Sequence, residues 1–187
     1  MVPLPTNLRA RRFESVVDVV FEPLQRYFLR RARADEVDDL LSETLLVVWR
    51  RLDEVPTQNT LPWCYGVARN VLSNHRRSEG RRLRVVERLE AEPWRGSVGD
   101  AGGASDDPAL EQALLELGEE DRELVRLWAW EQLEPREIAV VLGATANAVS
   151  LKLGRVKQKI SSSLERQNRE PSGHIPLGNP EQHVGEM

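Results

Sequence analysis

The stretch PREIAVVLGATANAVSLKLGRVKQKI, residues 135–160, decides the fold. Pro135 can open a helix, because the first helical residue has no intrahelical use for the N–H that proline lacks. Ile138, Ala139 and Leu142 then share one face, and Gly143 supplies a turn. Thr145 is placed to cap the next helix, its hydroxyl accepting an orphan N–H of the first turn. On that helix Ala146, Val149, Leu153, Val156 and Ile160 form one apolar stripe. The other side carries Asn147, Ser150, Leu151, Gly154, Arg155 and Gln158, with Lys152, Lys157 and Lys159 on the flanks. Two short helices crossing closely over a small residue such as Ala139 make a helix-turn-helix, whose second helix suits a DNA major groove. There the basic residues would neutralise phosphates, Asn147, Ser150 and Arg155 can bond base edges, and Leu151 can meet a thymine methyl. An interior glycine costs a helix about 1 kcal/mol, and close approach of backbone to DNA is one reason to carry Gly154. The competing reading is a plain helical hairpin with a solvated basic side.

Working outward, helical periodicity dominates and no stretch alternates with period two. The pattern predicts helices near 12–21, 23–33, 36–53 and 60–90, with Pro23 at a first helical position, and near 109–117, 120–132, 135–142 and 146–167. Between the blocks lies WRGSVGDAGGASDDP, residues 94–108, whose Gly, Ser and Ala content reads as a flexible linker. The expectation is an all-α chain of two small helical domains, residues 12–92 and 109–167, joined by a flexible acidic linker, 93–108. The second domain contains the helix-turn-helix. Residues 168–187 hold too little apolar content to pack and are expected to be a disordered tail.

The 187 residues carry a net charge of −4, which alone argues against a nucleic-acid partner. The distribution argues for one. Residues 69–88 hold seven arginines against two glutamates, and residues 152–169 hold six basic groups against one. The intervening residues 89–123 hold eleven acidic groups against two arginines. Two basic patches flanking an acidic segment suit two contacts with a polyanion, since local charge governs binding better than net charge. Ordinary solvated helix faces are the alternative. In the free chain the acidic linker is expected to compete for the basic faces. One cysteine, Cys64, excludes an internal disulfide framework and a cysteine-based zinc site. No apolar run approaches the ~20 residues of a membrane span and no secretory signal is visible, so a cytoplasmic chain without membrane insertion is expected. No metal, cofactor or enzyme constellation is found: no paired carboxylates, no nucleophile–base pair, no phosphate loop.

In the first block, helix 36–53 should bury Val37, Leu40, Leu41, Thr44, Leu45, Val48 and Leu52. Leu46 projects nearly opposite and Trp49 lies to the side, with Asp39, Ser42, Glu43 and Arg50 around them. Apolar groups ringed by charge suit a partner surface, or else pack beneath another helix. On helix 60–90, Cys64, Val67, Ala68 and Val71 face inward, while Arg69, Asn70, Ser73, Arg76 and Arg77 share the other side with Trp63 and Tyr65 at its edges. Rings bordering a basic, amide-bearing face suit unstacked bases, although they can equally be core-edge aromatics. His75 is read as having no partner carboxylate or second histidine at ligand spacing, so a solvated or half-buried imidazole is expected rather than a metal ligand.

DDLLSETLLVVWRRLDEV (38–55), LPWCYGVARNVLSNHRR (61–77) and LLELGEEDRELVRLWAWEQLEPREIAVVLGATANAVSLKLGRVKQKI (114–160), in this order around a linker, resemble an extracytoplasmic-function (ECF) sigma factor of bacterial RNA polymerase. The resemblance covers roughly residues 12–165. It implies a region-2-like domain whose Asp39, Glu43, Leu46, Trp49, Arg50 and Arg51 meet the clamp helices of the core polymerase. It also implies that the loop from Glu54 to Pro62, with Trp63 and Asn70, holds a flipped base of the −10 promoter box. Arg69, Asn74, Arg76 and Arg77 would hold the backbone nearby. A region-4-like domain would read the −35 box as duplex through Asn147, Ser150, Leu151, Lys152, Arg155 and Lys157, and touch the polymerase flap. Promoter DNA, core polymerase and an anti-sigma factor are the implied partners. The chain departs from the family pattern at Ser150, Leu151 and Gly154, which bears on the −35 sequence read, and at Val55-Pro56, which bears on the base pocket. A stand-alone helix-turn-helix regulator is the alternative, but it leaves the first block's aromatic and arginine face unused.

Overall fold

A computed structural model describes residues 6–89 and 107–169. The expected linker up to residue 106 and the tail from residue 170 lie outside the described residues. Among these there are seven α-helices and no strand.

The first unit comprises α1 (Thr6–Leu29), α2 (Val37–Arg50) and α3 (Thr60–Leu89), with 3-10 turns at Ala34–Glu36 and Leu52–Glu54. The expected break before Pro23 does not occur; α1 runs through it. Val16, Val20, Leu24, Tyr27 and Phe28 form one buried stripe spanning the proline. An interior proline costs about 3 kcal/mol, whereas each large apolar side chain buried returns roughly 1.5–3 kcal/mol, so the continuous helix wins. Guanidiniums of α1 lock it to the far end of α2: Arg9 donates to the Trp49 carbonyl at 2.8 Å and Arg12 to the Val55 carbonyl at 3.0 Å. α2 buries Val37, Leu40, Leu41, Thr44 and Val48, as the pattern predicts, whereas Leu45, expected with them, is only partly buried; Thr44 satisfies its hydroxyl on the Leu40 carbonyl.

The second unit comprises α4 (Pro108–Leu115), α5 (Glu119–Ala129), α6 (Pro135–Leu142) and α7 (Ala146–Arg169). Asp107 caps α4 by accepting the N–H groups of Ala109 and Leu110. Arg122 of α5 closes its other end on the carbonyls of Leu114 and Leu117, each at 3.0 Å. The Pro135, Gly143 and Thr145 assignments hold. Pro135 is the first residue of α6, Gly143 takes the left-handed conformation at φ 63°, and Thr145 Oγ1 accepts the Ala148 N–H at 3.2 Å. α6 and α7 cross at 106°, within the range of a helix-turn-helix.

The two units pack on one another. Buried apolar residues of both form one continuous cluster, and α3 runs against α6. The close approach is at Gly66, where an added Cβ would stand 3.5 Å from the Val141 carbonyl oxygen.

Candidate nucleic-acid interface

The buried edge of α7, Val149, Leu153 and Val156, is pinned to the unit's core. This turns Asn147, Ser150, Leu151, Gly154, Arg155 and Gln158 outward, all exposed, with Leu151 56% exposed. A large apolar side chain held in water beside an arginine and amides is what a major-groove reader presents. A Cβ at Gly154 would meet nothing within 4 Å, so the chain's own packing does not require glycine there. Ala146, expected in the buried stripe, is exposed because it opens the helix before α6 covers it. Two of the predicted contacts point elsewhere. Lys152 Nζ lies 2.9 Å from Glu120 and 3.4 Å from Asp121, and Lys157 Nζ sits 3.5 Å from the ring centroid of Trp128. The hydrogen bond to Glu120 raises the ammonium pKa of Lys152, and the same contact lowers that of Glu120.

α3 divides its predicted residues between two faces. Trp63, Asn70, Asn74 and Arg77 recur at spacings of seven, four and three and so line one side. Asn70, Asn74 and Arg77 are exposed; Trp63 is half-buried, with the Arg51 guanidinium 5.2 Å from its ring centroid. Arg69 and Arg76 turn instead into a cleft of about 510 Å³ between the units, facing Glu119, Glu120 and Glu123. Arg76 donates to Glu119 at 2.9 Å and to the Arg31 carbonyl at 2.9 Å. Tyr65, left open in the sequence between a ring bordering the base-binding face and a core-edge aromatic, is buried, which favours the second. It shares a side with Ala68 and Leu72, lies 5.4 Å from the Tyr27 ring, and directs its hydroxyl to Glu131. It is therefore not available to stack on a base.

On α2, Asp39, Glu43, Leu46 and Arg50 align at helical spacing on the exposed face, Leu46 46% exposed. Trp49 is set apart, edge-on to Phe13 at 5.2 Å with Arg9 over its ring. Arg51 lies past the helix end and pairs with Glu54.

His75 does have a carboxylate partner, contrary to expectation: Nε2 is 2.9 Å from Glu36 Oε1. Glu36 comes from the 3-10 turn 39 residues earlier, so no local spacing could reveal it. With Glu79, one turn along α3, these ligand atoms lie within 4.8 Å of one another, the only such His/Cys/carboxylate group among the described residues that could hold a metal. Both Glu36 oxygens are already used, one by His75 and the other by the Arg33 N–H at 3.0 Å. Burial alone would raise the Glu36 pKa, but these hydrogen bonds and the neighbouring positive charge hold it below the usual carboxylate value. Cys64 is buried, and that burial pushes its thiol up to about 12, leaving it inert.

Sequence reasoning missed two features. One is an apolar groove of about 450 Å³ between α4, α5 and α7, lined by Leu110, Leu114, Trp128, Trp130, Ile160 and Leu164. Trp128 and Trp130, unassigned in the sequence, were the available signal. The other is the ion-pair system around Arg31, whose partners lie 92 and 100 residues away and leave no local trace.

Comparison with known proteins matches residues 13–82 to the family model for sigma-70 region 2 and residues 108–160 to that for sigma-70, region 4. The chain is 32% identical over 145 residues to the RNA polymerase sigma factor CnrH of Cupriavidus metallidurans, covering 70% of this chain and 74% of that protein. It is 24% identical over 132 residues to the ECF RNA polymerase sigma factor EcfG of Rhodopseudomonas palustris, covering 70% and 72%. In fold it resembles the sigma factor RpoE of Bartonella quintana, solved in complex with the anti-sigma factor NepR. That match has a TM-score of 0.59 at 19% identity, covering 82% of this chain and 96% of the other.

Proposed function

The chain belongs to the ECF RNA polymerase sigma factors, and from that membership we propose how its surfaces divide the work of promoter recognition and DNA opening. Residues 12–92 act as the region-2 domain and 109–167 as the region-4 domain. The exposed line Asp39, Glu43, Leu46 and Arg50 of α2 docks on the clamp helices of core polymerase, with Arg51 at its end. Trp49 supports this face from beneath. The line Trp63, Asn70, Asn74 and Arg77 of α3, next to the loop from Glu54 to Pro62, captures the opened strand of the −10 box. Arg69 and Arg76 join it once they leave the cleft. The face of α7 bearing Asn147, Ser150, Leu151 and Arg155 reads the −35 duplex, with Lys152 and Lys157 held ready for phosphates.

Flipping a base costs a few kcal/mol, which the ring of Trp63 and the amide of Asn70 offset by stacking and hydrogen bonding. The factor does no covalent chemistry of its own. The groove carrying Trp128 and Trp130 suits an apolar helix of the polymerase flap. RpoE of B. quintana was solved with an anti-sigma factor, and an anti-sigma protein is the corresponding partner inferred for this chain. No single helix among the described residues is long and apolar enough to cross a membrane, in keeping with action in the cytoplasm.

The observation that carries this reading is the pairing, on one chain, of an amide-and-arginine line on α3 with an exposed groove-reading face on α7. The test is reconstitution with core polymerase and a randomised promoter library. The chain is expected to co-elute with core and to select two short boxes at fixed spacing. Failure to bind core, or selection of a single duplex site without core, contradicts the reading.

A further inference from the structure

We propose that His75 and Glu79 of α3, with Glu36 of the 3-10 turn before α2, form a binding site for a divalent first-row transition-metal ion. Their ligand atoms all lie within 4.8 Å of one another. His75 and Glu79 are four residues apart on one helix, the spacing that sets two side chains on the same face, one turn apart. Glu36 arrives from a turn 39 residues earlier, so the three groups meet only in the folded unit. His75 keeps 30% of its side chain exposed and Glu36 17%, which leaves an ion an approach from solvent and leaves water to fill the remaining positions.

The distances suit a metal. His75 Nε2 stands 2.9 Å from Glu36 Oε1. Two donors each ~2.05 Å from one ion stand ~2.9 Å apart at the right angle of six-coordination, and ~3.3 Å apart at the tetrahedral angle. The pair is thus already spaced as neighbouring ligands, sharing one proton where the ion would sit. Exchanging that proton for a metal leaves Glu36 Oε2 on the Arg33 N–H at 3.0 Å. A hydrogen bond of this kind fixes the orientation of a ligating carboxylate. Glu79 completes the set by swinging its exposed carboxylate inward by at most about 2 Å.

The electrostatics point the same way. Glu79 has no hydrogen bond or ion pair among the described residues. The guanidiniums nearest in sequence are committed elsewhere: Arg76 to Glu119 and the Arg31 carbonyl, Arg77 to Ser73, and Arg33 to Asp35. Two carboxylates beside a neutral imidazole therefore hold a double negative charge that a divalent ion cancels. The imidazole sets the class of ion, because nitrogen suits Zn2+ and Ni2+ whereas Mg2+ prefers oxygen and keeps its water. A bound ion ties the turn between α1 and α2 to α3 at the stretch that carries Asn74 and Arg77. On the reading above, this stiffens the line that grips the opened strand; the site itself does not depend on that reading.

The experiment uses the full chain without polymerase or DNA, so its outcome is separate from that of reconstitution. His174→Gln/His183→Gln is the common background, which leaves His75 as the only histidine. Uptake of Zn2+ and of Ni2+ is followed by isothermal titration calorimetry, with Mg2+ as the control, and thermal unfolding is recorded in each ion. The background protein is compared with the same protein carrying Glu79→Gln or His75→Gln. Glu79→Gln alters an exposed side chain without a partner, so it keeps the test valid if loss of His75 loosens the turn. The background protein should take up one ion per chain and gain roughly 5 °C in unfolding midpoint at a hundredfold excess of ion over Kd. Each ligand variant should bind more than about tenfold more weakly, since losing even a supporting group costs that much. Absence of uptake overturns the proposal and leaves a plain His–Glu pair beside a solvated carboxylate. So do uptake that both ligand variants retain, an equal response to Mg2+, and uptake with no rise in midpoint, as from a site that the unfolded chain shares.

Discussion

Glu36 takes hydrogen bonds from His75 and from the Arg33 N–H, and these outweigh the burial that would raise its pKa. A carboxylate whose folded pKa is depressed adds stability above its unfolded value of roughly 4.3, and that stability is lost as pH falls through the folded value. His75→Ala should therefore move the acid-unfolding midpoint, followed by circular dichroism, to higher pH; an unmoved midpoint would show that the pair does not couple the 3-10 turn to α3. At this scale the sequence was readable where a residue's neighbours are local. The outward set on α7, Asn147, Ser150, Leu151 and Arg155, follows from helical spacing alone and is exposed as expected. The partner of His75 was missed and Tyr65 was left open between two readings because what decides them, Glu36 in one case and Tyr27 with Glu131 in the other, comes from distant segments.

Among the elements, α6 and α7 were legible nearly to the residue, since Pro135, Gly143 and Thr145 mark their ends by local chemistry. Those marks carry measurable energy. Gly143→Ala forces a Cβ into the left-handed region and should cost about 1–2 kcal/mol. Thr145→Ala removes the cap on the Ala148 N–H and should cost about 1 kcal/mol. Both are read as shifts in urea midpoint at constant slope, and midpoints equal to the parent's would mean that the turn is not under this local control. Pro23 is the counter-example. Its punctuation is just as local, but the buried stripe from Val16 to Phe28 overrides it, and burial is a property of the folded unit.

For the whole molecule, the alternation of basic, acidic and basic blocks was visible in the sequence, and so was the idea that acid competes for the basic faces. The linker expected to do so lies outside the described residues. The described carboxylates that pair with basic groups of the first unit belong to α5 and to Glu131, because the packing of α3 on α6 brings the two units together. Contacts spanning some 90 to 100 residues have no periodicity to read. The central claim is a division of labour, with α3 gripping an opened strand and α7 reading an intact duplex. The measurement that tests it most directly is permanganate reactivity of promoter thymines, taken beside complex formation, for polymerase carrying Asn70→Ala or Arg155→Glu. Loss of an arginine–base contact should weaken duplex binding roughly 5- to 150-fold, so Arg155→Glu is expected to lose the complex. Asn70→Ala is expected to keep the complex and lose thymine reactivity; equal loss of the same step by both variants would contradict the account.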